Sequence, residues 1–219
     1  MAQRAWLALA HLQRQRGDAA TAREAYGNIL GGDAGPLSHQ AAVELAAWQH
    51  DEGEAAEALG TLVDAYRRTR DPRTGSALVR RLIDAGDVNA AEKYLRLVSS
   101  RAQVDPETWG LKASIAEARG DPRQAVAALN TGIRAAPDDP DIRLQRARFL
   151  RRCDPHGALG DAEADARHLL ALDAHVDAAV SLLADICRDQ GRLDEAIVFA
   201  RQRFDRRPLN WQYGIDLGM

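Results

Sequence analysis

The sequence predicts an all-α fold, a solenoid of antiparallel helix-turn-helix repeats, on three observations. Six glycines, Gly17, Gly53, Gly86, Gly120, Gly157 and Gly191, stand 36, 33, 34, 37 and 34 residues apart. Five places after each comes an alanine: Ala22, Ala58, Ala91, Ala125, Ala162 and Ala196. The dipeptides Asp71-Pro72, Asp105-Pro106 and Asp139-Pro140 recur every 34 residues in a different phase. A near-constant interval of this length marks a repeated supersecondary unit. Each glycine serves the turn between two helices, and each alanine keeps their crossing thin. Asp before Pro starts a helix, because the carboxylate accepts the free N–H groups of the first turn and Pro at the first helical place forfeits no hydrogen bond. The unit is therefore helix A, turn, helix B, connection. One such pair cannot bury its apolar face alone, and stacked pairs build a continuous core in which each repeat touches only the next.

The bulk composition agrees. Of 219 residues 46% are hydrophobic but only 5% aromatic, a mixture suited to closely packed helices rather than a sandwich or barrel. A net charge of −3 gives no global electrostatic case for nucleic acid or an anionic membrane. No apolar run approaches the roughly 18–20 residues of a membrane-spanning helix, so no direct membrane insertion is expected within this segment. The opening stretch MAQRAWLALAHLQRQRG resembles a short signal peptide superficially. Leu7, Ala10 and Arg14 fall at helical spacing, however, and no small-residue cleavage site precedes the next helix, so it is read as folded. Two cysteines, Cys153 and Cys187, make no disulfide framework and leave both cytoplasm and periplasm open.

Taken in order, the repeats are expected at about 3–36, 37–71, 72–105, 106–139, 140–176 and 177–208, with a tail at 209–219. Repeat 1 places Trp6 early in helix A and Ala10 at the crossing. Repeat 2 has Ala42 and Ala46 there, with Leu59 and Leu62 on helix B. Repeat 3 opens on Asp71-Pro72 and carries Gly75, then Leu95. Repeat 4 opens on Asp105-Pro106 with Trp109 and Ala113, then Val126 and Leu129, and closes at Pro137. Repeat 5 departs most, since Asp154-Pro155 ends helix A and about three extra residues widen its turn. Repeat 6 has Ala184 in helix A and closes at Pro208. These residues resemble the tetratricopeptide repeat, whose period is about 34 residues. That family places a Trp early in helix A, small residues where A and B cross, and a Pro at the end of helix B. The likeness covers roughly residues 3–208 and implies a right-handed superhelical solenoid that binds proteins or peptides without catalysis. Ala42 and Gly75 stand where the family has Trp.

The tail LNWQYGIDLGM alternates Trp211, Tyr213, Ile215 and Leu217 with Gln212, Gly214, Asp216 and Gly218, a strand period. It is expected to start a further module, with the chain a piece of a longer protein; the alternative is a tail that folds back over repeat 6. Uncapped ends also make end-to-end self-association an expectation.

No catalytic pattern stands out: there is no Gly-rich phosphate loop, HExxH, nucleophile elbow or Cys-x-x-Cys. Cys153, His156, His168 and His175 have the types that suit zinc, but their spacings match no zinc-finger pattern. His11, His39 and His50 likewise read as surface or packing residues. The carboxylate-rich DAEADARHLL, 161–170, is expected to be a solvated helix face with acidic charge at its N-terminus. Neither a metal nor a cofactor is assigned, and the chain is not expected to be an enzyme.

The resemblance implies that helix A lines a groove and that ligand residues come from its inward positions. Carried over, these are Arg4, Leu7, His11 and Arg14; Gln40, Val43, Ala47 and His50; and Arg73, Ser76, Arg80 and Ile83. The later repeats add Glu107, Ser114 and Glu117; Asp141, Leu144, Arg148 and Arg151; and Asp177, Ser181, Asp185 and Arg188. Members that clamp a chaperone's C-terminal carboxylate use Lys and Asn there, which this sequence lacks. Its candidate partner-binding residues are Arg4, His11, Arg14, His50, Arg73, Arg80, Arg148, Arg151 and Arg188. Arginine forks suit carboxylates, so the expected partner is a protein or extended peptide of acidic character. Base-stacking aromatics are absent from these positions, which argues against nucleic acid. Similar arrays also occur in the periplasm, ahead of outer-membrane barrels, in bacterial polysaccharide-export and envelope-assembly machines, and that setting is the second expectation.

Overall fold

The structure, a computed structural model, describes residues 2–32, 35–99, 106–153 and 157–206. Among them are twelve α-helices and no strand. They divide into two compact units, Met1–Val104 and Asp105–Met219. The first unit holds α1 (Ala2–Arg16), α2 (Ala19–Gly31), α3 (Ser38–Asp51), α4 (Ala55–Thr69), α5 (Pro72–Asp84) and α6 (Val88–Ser99). The second holds α7 (Pro106–Ala118), α8 (Pro122–Ala135), α9 (Pro140–Cys153), α10 (Leu159–Ala171), α11 (Val176–Asp189) and α12 (Leu193–Arg206). Consecutive helices pair as hairpins, and within each unit the second helix of a hairpin packs on the first helix of the next.

The turn glycines end the first helices by a shared device. Gly17, Gly53, Gly86, Gly120 and Gly191 have φ between +73° and +85°, the left-handed conformation open to glycine without strain. In the first hairpin Gly17 donates its N–H to Arg14 O at 3.1 Å and Asp18 donates to Gln13 O at 2.9 Å. The same two bonds close the turns at Gly53, Gly86, Gly120 and Gly191. This pairing satisfies the last carbonyls of a helix and reverses the chain in two residues.

The residue after the glycine then starts the second helix. Asp18, Asp87 and Asp121 accept the N–H of Thr21, Ala90 and Gln124 at 3.1, 2.9 and 2.9 Å. The Asp-Pro pairs act at the other junction. Asp71 accepts from Arg73 and Thr74, and Asp139 accepts from Ile142 at 3.0 Å. Asp105, Asp154, Pro155 and Pro208 lie outside the described residues, as does the tail 209–219.

The small residues sit at the crossings. Ala10, Ala46, Ala113 and Ala184 are buried in the first helices, and Ala22, Ala58, Ala91, Ala125 and Ala162 are at most 1% exposed in the second. Ala196 of α12 is only half-buried. In the first unit, Leu7, Tyr26, Ile29, Leu45 and Trp48 fill the space around the alanines. Gly75 has a packing reason: a Cβ there would overlap Val98 Cγ2 and crowd the Tyr66 ring, which occupy the volume an aromatic would need. In the second unit one cluster joins Ala113, Leu129, Ile142 and Phe149, and another joins Ala147, Leu150, Leu159, Leu182, Leu183 and Ile186. No described helix is long and apolar enough to cross a membrane.

Candidate functional site

In the first unit the candidate residues lie on the first helices, and their polar chemistry gathers on one carboxylate. Glu44 of α3 contacts His11 Nε2 of α1 at 2.6 Å, accepts from Gln40 Nε2 at 2.8 Å and from the Tyr26 hydroxyl at 3.2 Å. Burial works to raise the Glu44 carboxyl, but the bonds from His11 and Gln40 outweigh it and hold the group below the ordinary glutamate range. Arg14 lies over the Trp48 ring at 5.1 Å from its centroid, and Arg23 of α2 is equally close to the same ring. Each contact is of cation–π type. Arg23 also bonds Glu54 at 2.7 Å.

Further along this face, Arg73 Nη1 and His39 Nε2 are 3.5 Å apart, so α3 and α5 are also joined there. Arg4, His50 and Arg80 are exposed, and Ser76 is buried. A cavity of about 620 Å³ opens beside the start of α1, lined by Gln3, Arg4, Trp6, Asn28, Gly32 and Pro36.

The second unit carries its candidate arginines on α9 and α11. Arg151 of α9 bonds Asp185 at 3.0 Å and Asp189 at 2.9 Å, both on α11. Arg188 bonds Asp185 at 2.7 Å along α11 itself, and Arg152 of α9 pairs with Glu117 of α7. Arg148 is exposed on α9. Two of the three candidate arginines here are thus already matched by carboxylates of their own unit.

The 161–170 stretch is not simply a solvated face. Asp161 is exposed, but the side chain of Asp165 is 1% exposed and lies against α9. Its carboxylate accepts from Arg143 Nη1 at 2.9 Å and from Arg146 Nε and Nη2 at 2.6 and 2.8 Å. Arg146 reaches on to Asn130 Oδ1 of α8 at 2.7 Å, and Arg143 to the Pro137 carbonyl at 2.6 Å. A buried carboxylate survives only where such bonds replace its water. Helical geometry puts it there: Asp165 is three places beyond the crossing alanine Ala162, so it shares that residue's inward side.

His175 contacts Asp141 at 2.7 Å and His168 contacts Asp138 at 3.1 Å. Cys153 is exposed and Cys187 buried, while His156 lies outside the described residues. Among the described residues no group of three or more His, Cys, Asp or Glu side chains could hold a metal ion. Sequence reasoning missed the partners of these charged groups, although a signal was there. His11 and Glu44, His39 and Arg73, Asp141 and His175, and Arg151 and Asp185 are separated by 33 or 34 residues, one repeat.

With hairpins, crossings and faces in place, the comparison with known families is decisive. A family model described as tetratricopeptide repeat matches residues 1–150. The chain belongs to the tetratricopeptide repeat family. No curated protein sequence matches it. Among solved structures, a thermophilic tetratricopeptide repeat protein of Thermus thermophilus is similar at 23% identity and TM-score 0.66, covering 83% of this chain and all of that one. PilW, a widely conserved type IV pilus biogenesis factor, is similar at 17% identity and TM-score 0.69, covering 99% of this chain and 96% of its own. YrrB, a tetratricopeptide repeat protein with an unusual peptide-binding site, is similar at 12% identity and TM-score 0.54, covering 82% and 91%. At these identities the likenesses establish the tetratricopeptide repeat fold. Proteins of this family are generally non-catalytic scaffolds for protein interaction.

Proposed function

We propose that the chain is a non-catalytic tetratricopeptide repeat scaffold that holds an acidic, extended segment of a partner protein on the α1, α3 and α5 face of its first unit. The charge balance of the first helices carries this reading. Helices α1, α3 and α5 hold six arginines (4, 14, 16, 73, 80 and 81) against three acids, Glu44, Asp51 and Asp84. In the second unit α7, α9 and α11 hold seven cations against six acids, and Arg151, Arg152 and Arg188 contact carboxylates of that unit. Forked guanidinium donors pair well with carboxylates, and a face with an excess of them attracts an acidic chain at a distance. The peptide-binding site of YrrB lends precedent for the fold, not for the ligand.

The test is fluorescence anisotropy with a labelled hexaglutamate peptide in 20 and 200 mM salt. Binding is expected to weaken with salt, and Arg73→Glu with Arg80→Glu to weaken it by about tenfold or more. Arg148→Glu in the second unit should leave it nearly unchanged. Equal losses from both variants, or binding indifferent to salt, would overturn the assignment.

A further inference from the structure

The cavity at the start of α1, about 620 Å³, has the size of a small-molecule site. Its walls are largely apolar: Ala2 and Trp6 of α1, with Pro36 and Leu37 of the connection to α3. The chain fixes its shape. Gln3 donates Nε2 to Ser38 Oγ at 3.3 Å and accepts the Leu37 N–H at 3.4 Å. Gly35 donates its N–H to the same Ser38 Oγ at 3.0 Å, and a Cβ on Gly35 would overlap the Gln3 amide. Gly32, the C-cap of α2, is held from the other side: its carbonyl accepts Arg68 Nη2 of α4 at 2.5 Å.

The electrostatics of the cavity favour an anion. Arg4 is the one charged side chain among its described lining residues; it is exposed and forms no ion pair with any described residue. Helices α1 and α3 both begin at the cavity, at Ala2 and after Leu37, and neither has an acid in its first turn. Their first N–H groups add positive charge there. The carbonyl end of α2 would repel an anion, and the Arg68 guanidinium on the Gly32 carbonyl offsets it.

The walls specify the rest of the ligand. Trp6 is 37% exposed, and an indole packs well against a second ring in offset or edge-on contact. One lining guanidinium matches one negative charge, and its fork suits a carboxylate. We infer that this cavity binds an aromatic monocarboxylate, its carboxylate on Arg4 and its ring against Trp6, Pro36 and Leu37. A free aromatic acid and the C-terminal aromatic residue of a peptide share this chemistry. The inference rests on the cavity alone and stands whether or not an acidic segment binds the α1, α3 and α5 face.

The experiment is calorimetric titration of the 219-residue chain with 3-phenylpropionate, with its neutral amide, and with Gly-Gly-Phe carrying a free or an amidated C-terminus. Each free carboxylate is expected to bind about tenfold or more tightly than its amide, and Arg4→Gln should remove that difference. Asn28→Trp, at an exposed lining residue, fills the cavity and should abolish binding of both carboxylates. Arg16→Gln, at the exposed far end of α1, should leave both unchanged. Circular dichroism checks that each variant keeps its helices. Tighter binding of the free acid would assign the site to a small molecule, and tighter binding of the peptide to a chain end; both support the inference. Amides binding as well as acids, equal losses from Arg4→Gln and Arg16→Gln, full binding by Asn28→Trp, or no saturable binding below about 10 mM would overturn it.

Discussion

Asp165 shows how one residue can decide the fit between two hairpins. Its carboxylate is enclosed by Arg143 and Arg146, and Arg146 is fixed in turn by Asn130. Removing the carboxylate strands two arginines in a place water barely reaches, so Asp165→Ala is expected to cost about 3–5 kcal/mol in urea unfolding of the second unit. Glycines give a matched pair of outcomes. Gly75→Ala must displace Val98 and Tyr66 and should cost about 1–3 kcal/mol, whereas Gly60→Ala, inside α4 with open space around it, should gain about 0.4–1 kcal/mol. The crossing alanines were legible in the sequence because a small residue recurs at them. Asp165 was not, since one buried acid among three in a short stretch looks like any acid on a wet face.

At the scale of the element, each hairpin carries its own punctuation. The glycine ends one helix, and in three hairpins an aspartate immediately after it begins the next, so Gly-Asp turns the chain with bonds local to the turn. Asp121→Ala should lower stability by about 1 kcal/mol, measured by thermal unfolding, because it strands the Gln124 N–H. The repeat interval and the Asp-Pro starts could be read directly from the sequence. The Gly-Asp caps were equally visible there but pass unnoticed when the glycine alone is followed. The tail illustrates a deeper ambiguity. Trp211, Tyr213, Ile215 and Leu217 alternate as in a strand, and an alternation this short has no neighbouring strand in the sequence to pair with.

For the whole molecule, stability is a sum over hairpins and the contacts between neighbours, and the pH response belongs to that sum. Glu44 links α1 and α3 through His11, and its carboxyl is held below the ordinary value of 4.5. A lowered carboxyl contributes stability above its unfolded value and loses it as pH falls through the folded one. The first unit should therefore weaken as pH drops below about 4.5, and Glu44→Gln should flatten that loss in acid-unfolding curves. The arginines of the candidate face could be picked out from the repeat register. That Arg151 meets a carboxylate could not, because its partner stands a whole repeat away. Arg151 and Asp185 look unrelated until their separation is compared with the period.

The Arg143–Asp165–Arg146 cluster has an evolutionary corollary. Hairpins closed by their own turns are interchangeable parts, and a gene can duplicate or delete them without redesigning the junctions. The fifth hairpin is not such a part, because its guanidinium groups are fitted to Asn130 and the Pro137 carbonyl of the fourth. Those two hairpins are expected to be inherited as a pair, and a chimera that separates them should express poorly while one that moves them together should not.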